Sequence, residues 1–225
     1  KAIHIEWATG VQQVLNNVKA NQLLEIEQEA SASPTLANSN SPIFKDITTT
    51  SQLQHQHQEN DFDDFTKQVL LPHKLSTLGP ALATGDVNGD GLEDLYLGGA
   101  SGQAGQVWLQ SKNGQFSASK SATFSADAAK EDLDASFFDA DQDGDLDLYV
   151  VSGGNEWEVN SKIYQDRLYL NNGEGSFTNS NLPKMTNSGS VVRPFDFDQD
   201  GDLDLFIGGR LVPWNYTQKA SSTLK

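Results

Sequence analysis

Asp139-Ala-Asp-Gln-Asp-Gly-Asp-Leu-Asp147 is one of three stretches of this sequence that follow a single template. The other two are Asp86-Val-Asn-Gly-Asp-Gly-Leu-Glu-Asp94 and Asp196-Phe-Asp-Gln-Asp-Gly-Asp-Leu-Asp204. Each places side-chain oxygens at loop positions 1, 3, 5 and 9 and a glycine at position 6. This spacing turns alternate side chains inward, and the glycine permits the bend that brings the carbonyl of position 7 to the same centre. The template therefore predicts a site for a hard divalent cation in each loop.

We predict about three Ca²⁺ ions, each held by four side chains and one carbonyl. Without a cation, the clustered carboxylates would repel one another strongly. The predicted ligands are Asp86, Asn88, Asp90, Asp94 and the Leu92 carbonyl in the first loop; Asp139, Asp141, Asp143, Asp147 and the Asp145 carbonyl in the second; and Asp196, Asp198, Asp200, Asp204 and the Asp202 carbonyl in the third. The alternative is a solvated acidic turn without metal, which explains one such loop more easily than three with the same spacing.

The residues around the loops favour β-structure over an EF-hand. An EF-hand places a glutamate at position 12 and continues into a helix, whereas position 12 is Leu97, Val150 or Ile207 here. Each loop is followed by a short apolar run that ends at glycines, and strand-like residues precede it. These patterns predict a strand, a cation loop and a second strand buried on both faces.

The template belongs to a longer repeat. The loops begin at residues 86, 139 and 196, which are 53 and 57 residues apart. After the first two loops come predicted hairpins, one turned at Asn113-Gly114 and one at Asn172-Gly173. The repeat therefore holds four strands, the content of a β-propeller blade. The third repeat is predicted to stop near residues 211–216 without an outer hairpin, and residues 126–132 are predicted to form one helical turn.

Residues 44–225 resemble the FG-GAP/VCBS repeats of integrin-α-like propellers, and the three loops carry the resemblance. The resemblance implies an all-β fold, a partial β-propeller of four-stranded blades whose loops bind calcium. Propellers of this family have about seven blades, so three loops imply an incomplete ring. We expect a fragment with open blade edges of this kind to associate with another chain or to be marginally stable.

The N-terminal part reads as a smaller β module. Residues 1–28 predict three short strands, with Ile3, Ile5 and Trp7 facing inward on the first, Val11–Leu15 forming the second and Leu23–Glu27 the third. Residues 5–26 resemble the C-terminal part of an ASPIC/UnbV module, and the combination is similar to the cartilage acidic protein family and its bacterial relatives. Residues 29–42 have linker composition, so we predict a domain boundary there and a propeller domain over 43–225.

Residues 43–80 carry weaker signals. We predict an opening strand near Ile43–Thr48 and then a long loop that packs across the end of the blades, anchored by Phe62, Phe65 and residues 69–71. His55, His57 and His73 lie among acidic residues, but no periodicity places them on a common face with a third ligand, so a transition-metal site there is disfavoured.

The composition limits the classes of function. The net charge is −16, with 14 of the 31 acidic residues in the three loops, which argues against nucleic acid and anionic membranes as partners. No apolar run is long enough for membrane insertion. Loops of this kind bind best at about millimolar calcium, which favours a secreted or cell-surface location.

We expect a non-catalytic calcium-binding module for adhesion to a protein or glycan ligand, with Trp157 and Trp214 as candidate contacts and Trp108 in the core. The alternative is a carbohydrate-active enzyme or an accessory domain of one, and such an enzyme needs a carboxylate pair or a histidine–acid pair in a cleft. Calcium sensing is less favoured because no helix pair flanks the loops.

Overall fold

The computed structural model describes residues 2–8, 11–28, 44–119 and 122–225. The chain divides into two compact units, Lys1–Asp46 and Ile47–Lys225. The predicted linker at 29–42 lies outside the described residues.

The first unit contains one antiparallel pair, β1 (Ile3–Glu6) and β2 (Gln12–Leu15). Ile3 lies opposite Leu15 and Glu6 opposite Gln12, and the alternating exposure along β1 agrees with the sequence pattern. The predicted third strand at Leu23–Glu27 is wrong, because those residues are irregular and Leu23 is fully exposed. A strand needs a neighbour to satisfy its backbone groups, and the sheet described in this unit has two strands.

The second unit contains three antiparallel sheets, each a meander in chain order, which we call blades 1, 2 and 3. Blade 1 comprises β3 (Leu82–Gly85), β4 (Asp94–Leu97), β5 (Gln106–Gln110) and β6 (Phe116–Ala118). Blade 2 comprises β7 (Glu131–Phe138), β8 (Asp147–Gly153), β9 (Arg167–Asn171) and β10 (Phe177–Ser180). Blade 3 comprises β11 (Gly189–Phe195), β12 (Asp204–Gly209) and β13 (Thr223–Leu224). The fold is all-β, with sheets of the kind found in a partial β-propeller.

The blades stack face to face and bury two apolar layers. Side chains from blades 1 and 2 form the first layer, which includes Tyr96, Leu148 and Val150. Phe124 completes this layer, with its ring centroid 4.9 Å from that of Tyr169. The second layer lies between blades 2 and 3, and its buried members are Phe138, Tyr149, Val151, Val192 and Ile207. Every residue of β8 is buried because this strand contacts a blade on each face.

Four short helical segments lie in the described part of the second unit, and two of them correct the sequence predictions. The helical turn α1 (Thr48–Ser51) replaces the predicted opening strand. The turn predicted at 126–132 is a 3₁₀ helix at Thr123–Asp127, and β7 has already begun at Glu131. Lys162–Tyr164 forms another 3₁₀ turn.

Blade 3 is larger than the sequence predicted. Its third strand, β13, pairs with β12 through Phe206–Leu224 and Ile207–Thr223. A strand of two residues carries too little pattern to be recognised, so the prediction that the repeat ends near residue 216 is wrong.

Residues 47–80 contact the blades, and of the predicted anchor at residues 69–71 only Leu71 is buried. Phe65, Val69 and Leu70 are exposed, whereas Leu71 and Leu75 pack against Leu211. The helical turn α2 (Asp64–Lys67) is held by a buried carboxylate at its first residue, as described below. In the described residues, no helix is long and apolar enough to cross a membrane.

Candidate metal-binding loops

The second loop shows how the backbone orders the acidic side chains. Asp139 Oδ1 accepts a hydrogen bond from Asp143 N (3.2 Å), and Asp139 Oδ2 accepts one from Gly144 N (3.0 Å). Asp141 Oδ1 accepts from the same Asp143 N (3.3 Å). In the first loop, Asp86 and Asn88 make the same three bonds to Asp90 N and Gly91 N. The loop backbone therefore orients the side chains of positions 1 and 3 in both loops.

The loops adopt left-handed backbone conformations at positions 4 and 6, and position 4 is Gly89 (φ 71°), Gln142 (φ 64°) or Gln199 (φ 65°). Position 6 is Gly91, Gly144 or Gly201, with φ of 84°, 95° and 99°. A side chain is strained in this region, which explains why glycine stands there in all three loops. At position 5 the aspartate orients itself by accepting from the N–H of position 7, as Asp143 Oδ1 does from Asp145 N (2.9 Å).

The aspartate at position 9 links the loop to the body of the blade. Asp147 is buried, and its Oδ2 accepts from Ala140 N (2.9 Å) while its Oδ1 accepts from Asn171 N (2.8 Å) at the end of β9. In blade 1, Asp94 accepts from Val87 N and Gln110 N in the same way. Burial raises the pKa of both carboxyls, and the other loop aspartates raise it further, although the backbone hydrogen bonds oppose the shift. Folding thus places a costly negative charge at the base of the first and second loops.

The third loop repeats this pattern but is more open to solvent. Asp196 accepts from Gln199 N and Gly201 N, and Asp204 Oδ2 accepts from Phe197 N (2.8 Å). Here the carboxyl at position 9 is only half-buried.

Two of the loops gather three carboxylates around one point. Oxygens of Asp139, Asp141 and Asp147 lie within 4.8 Å of one another, and so do those of Asp196, Asp198 and Asp204. These are positions 1, 3 and 9 of the template, three of the four predicted side-chain ligands. Residues of both loops also line one cavity of about 440 Å³. Hard oxygen donors in this number suit Ca²⁺ better than a transition metal, so the residues present fit the predicted ion.

The comparison with known families agrees with this geometry. The family model described as FG-GAP-like repeat matches residues 86–150 and 139–207. Each match begins at one acidic loop and ends in the strand that follows the next acidic loop. Together the matches cover more than half of the sequence. The chain belongs to the FG-GAP-like repeat family. No curated protein matches it.

The FG-GAP-like match does not include the histidines, and the structure gives them no common centre. His57 Nε2 lies 2.9 Å from Glu59 Oε1, and His73 is exposed. Burial, followed by the charge of His57, lowers the pKa of His55. In the part of the chain that the structure describes, the groups of acidic or histidine side chains close enough to share a metal are the two loop clusters.

A buried polar network at the opposite end of the FG-GAP-like blades was not predicted. Asp132 Oδ1 accepts from Arg167 Nη2 (2.6 Å), and both side chains are almost fully buried. Asp132 Oδ2 accepts from Tyr96 OH (2.8 Å) in β4 of blade 1 and from Gly99 N (3.0 Å) in the loop between β4 and β5. The network therefore joins blades 1 and 2. Its only sequence signal is an isolated arginine in a strand pattern, which does not reveal its partner.

A second unpredicted group lies where residues 47–80 meet the blades. The buried carboxylate of Asp64 accepts from Ser76 Oγ (2.6 Å) and from Asn155 Nδ2 (2.8 Å). Asn155 in turn accepts from Trp214 N (3.1 Å) and, through its carbonyl, from Trp214 Nε1 (3.0 Å). These bonds tie three distant parts of the chain together.

Trp108, Trp157 and Trp214 differ in their exposure. Trp108 is buried in β5, as predicted for a core residue. Trp157 is largely exposed, and Trp214 is half-buried beneath Lys67, whose Nζ lies 4.8 Å from the ring centroid. Trp157 and Trp214 both lie close to Asn155, at the end of the blades away from the acidic loops.

Proposed function

We propose that this chain is a non-catalytic interaction module whose blades are braced by calcium at their acidic loops. The observation that carries the proposal is the convergence of three carboxylates within 4.8 Å in the second and third loops. The same template in the first loop, with asparagine at position 3, supports a third site. The clustered carboxylates of a loop repel one another, and a bound Ca²⁺ would supply positive charge that offsets this repulsion. Its binding energy would therefore contribute to folding.

The proposed ligands are those of the sequence template, and we assign them different tasks. The buried aspartates Asp94 and Asp147 would hold the ion against the strands, while positions 1 and 3 close the loop around it. The carboxylates at position 5 and the carbonyls at position 7 complete the set, and the hydrogen bond between these two residues supports their proximity.

We place the ligand-binding surface at the end of the blades opposite the loops. A shallow cavity of about 370 Å³ is lined there by Lys67, Val69, Leu70, Trp214 and Tyr216, together with side-chain amides and a hydroxyl. Its lining residues include no carboxylate, although the chain carries 31 acidic residues. Aromatic rings beside amides suit a protein or glycan ligand.

The proposed setting is outside the cytoplasm, secreted or at the cell surface, because loops of this type saturate at about millimolar calcium. We also propose that residues 5–26 derive from an ASPIC/UnbV module. The antiparallel pair β1–β2 is compatible with that origin, and the family match begins only at residue 86.

Thermal unfolding with and without calcium tests the bracing. Chelation by EDTA should lower the melting temperature by many degrees, and restoring millimolar calcium should reverse the change. Magnesium serves as the control, since it demands a smaller and stricter octahedral site. If the melting temperature is the same in EDTA and in calcium, the loops are acidic turns without a bracing role.

A further inference from the structure

Asn171 joins the first and second acidic loops, although it belongs to neither. It is the last residue of β9 in blade 2 and is 7% exposed. Its Nδ2 donates one hydrogen bond to the carbonyl of Val87 (2.7 Å) and another to the carbonyl of Leu146 (3.1 Å). Val87 is position 2 of the first loop, and Leu146 is position 8 of the second. One carboxamide therefore spans two candidate cation sites that belong to different blades.

Backbone hydrogen bonds extend this link to the buried ligands of both loops. The N–H of Asn171 donates to Asp147 Oδ1 (2.8 Å), and the N–H of Val87 donates to Asp94 Oδ2 (3.1 Å). Asp94 and Asp147 are the position-9 aspartates of their loops, and both are fully buried. Three hydrogen bonds in series thus connect a predicted ligand of one loop to a predicted ligand of the other, through residues that are themselves buried.

The hairpin turn that follows Asn171 also lies against both loops. A methyl group added at Gly173 would lie 2.6 Å from Asp145 Oδ2 of the second loop. A methyl group added at Gly175 would lie 3.6 Å from Val87 Cγ2 of the first loop. The turn is therefore in close contact with each loop, and a displacement of either one is passed to it.

We infer that Asn171 is a positioning residue that couples calcium binding in the first loop to calcium binding in the second. The inference rests on the proposed function, because it requires both loops to bind calcium. Asp94 and Asp147 must each be held still to ligate a cation, and the hydrogen-bonded chain makes them share that ordering. Once one of them is fixed, the other has less freedom to lose, so its loop binds more tightly. The coupling is reciprocal, since each site must raise the affinity of the other by the same factor.

Electrostatic repulsion between the two sites has the opposite sign. Two divalent cations in neighbouring loops repel each other, so filling the second loop would weaken the first if nothing else connected them. Salt screens this repulsion but does not reverse it. Positive coupling therefore needs a physical connection of the kind that Asn171 supplies.

Calcium titrations of the full chain, followed by NMR, test the coupling. The amide signals of Gly91 and Gly144 report the first and second loops, because each N–H donates to the position-1 aspartate of its loop (2.8 and 3.0 Å). Asp139→Asn combined with Asp143→Asn removes two carboxylates from the second loop and keeps Asp147 in place. This pair should lower the calcium affinity of the first loop by at least about fivefold, the lower end of usual allosteric couplings.

Asn171→Ala should abolish this dependence while both loops still bind calcium. The variant keeps the backbone N–H that donates to Asp147 and removes only the carboxamide. In its background, the second-loop pair should change first-loop affinity by less than about twofold. Asn172→Ala is the matched control, because it removes two hydrogen bonds inside the same turn, those that Asn172 Oδ1 accepts from Glu174 N and Ser176 N. It weakens the turn without touching the link between the loops, so the fivefold dependence should persist.

The third loop provides a comparison that leaves Asn171 intact. It belongs to blade 3, which packs on the other face of blade 2 from blade 1. Asp196→Asn combined with Asp200→Asn, the equivalent pair there, should lower first-loop affinity by less than about twofold. This comparison decides the matter even if Asn171→Ala does not fold.

Three results would overturn the coupling while calcium binding itself stands. They are a first-loop affinity that is unchanged when the second loop is disabled, a dependence that survives Asn171→Ala, and a dependence that the third-loop pair reproduces in full. A chain in which neither Gly91 nor Gly144 responds to calcium would instead refute the proposed function, and the coupling with it.

Discussion

Replacing Asp141 by asparagine should change the stability of the chain in opposite directions with and without calcium. Asp141 occupies position 3 of the second loop, is exposed and accepts one hydrogen bond from Asp143 N. Asn88 stands at the same position of the first loop and accepts the equivalent bond from Asp90 N (3.1 Å). The substitution therefore keeps the loop geometry and removes one negative charge.

The magnitude without calcium follows from the distances in the cluster. Oxygens of Asp139 and Asp147 lie within 4.8 Å of Asp141. At that separation in water each like-charge pair costs about 0.9 kcal/mol, and salt screening of this exposed group reduces the combined relief to about 1 kcal/mol. In EDTA, the Asp141→Asn chain should be more stable than the wild type by about that amount.

With calcium present the sign should reverse. A neutral amide is a weaker ligand than a carboxylate, and a tenfold loss of calcium affinity corresponds to about 1.4 kcal/mol of stability at saturating calcium. Urea titrations of both chains in EDTA and in millimolar calcium measure the two differences. Asp61→Asn, an exposed acid outside the loops, provides the control and should change little in either buffer. A substitution that lowers stability equally in both buffers would refute the reasoning.

Two further predictions concern the buried charges at the other end of the blades. Arg167→Met leaves the carboxylate of Asp132 buried without its ion partner, so the free energy of unfolding measured by urea titration should fall by about 3–5 kcal/mol. Adding Asp132→Asn should restore part of this loss. A loss below about 1 kcal/mol would contradict the prediction. Burial and then the neighbouring Glu156 raise the pKa of Glu131 to about 10. Stability should therefore fall as the pH rises from about 4.5 toward 10, and Glu131→Gln should flatten that dependence in urea titrations between pH 6 and about 9; an unchanged slope would exclude Glu131 as its source.

The parts of the fold that were predictable from the sequence are those set by neighbouring residues. The cation template fixes a glycine at position 6 and apolar runs on each side, so strands β3, β4, β7, β8, β11 and β12 follow from local pattern. The Asn-Gly turns predicted the outer hairpins of blades 1 and 2 for the same reason.

The features that escaped prediction depend on partners far away in the sequence. Asp132 and Arg167 are 35 residues apart, and Asp64 and Asn155 are 91 residues apart, so no local pattern connects them. The exposure of Val69 and Leu70 and the burial of Asp64 reverse the usual preference of these residue types. The ligand positions of the loops were assigned from spacing, and the structure brings positions 1, 3 and 9 together in the second and third loops.

The number of calcium ions bound per chain is the most direct test of the account. Equilibrium dialysis against millimolar calcium, with the bound metal measured by mass spectrometry, should give about three ions per wild-type chain. A variant with asparagine at Asp139 and Asp147 should bind one ion fewer. A wild-type chain that retains no calcium after dialysis would contradict the claim that these loops are cation sites.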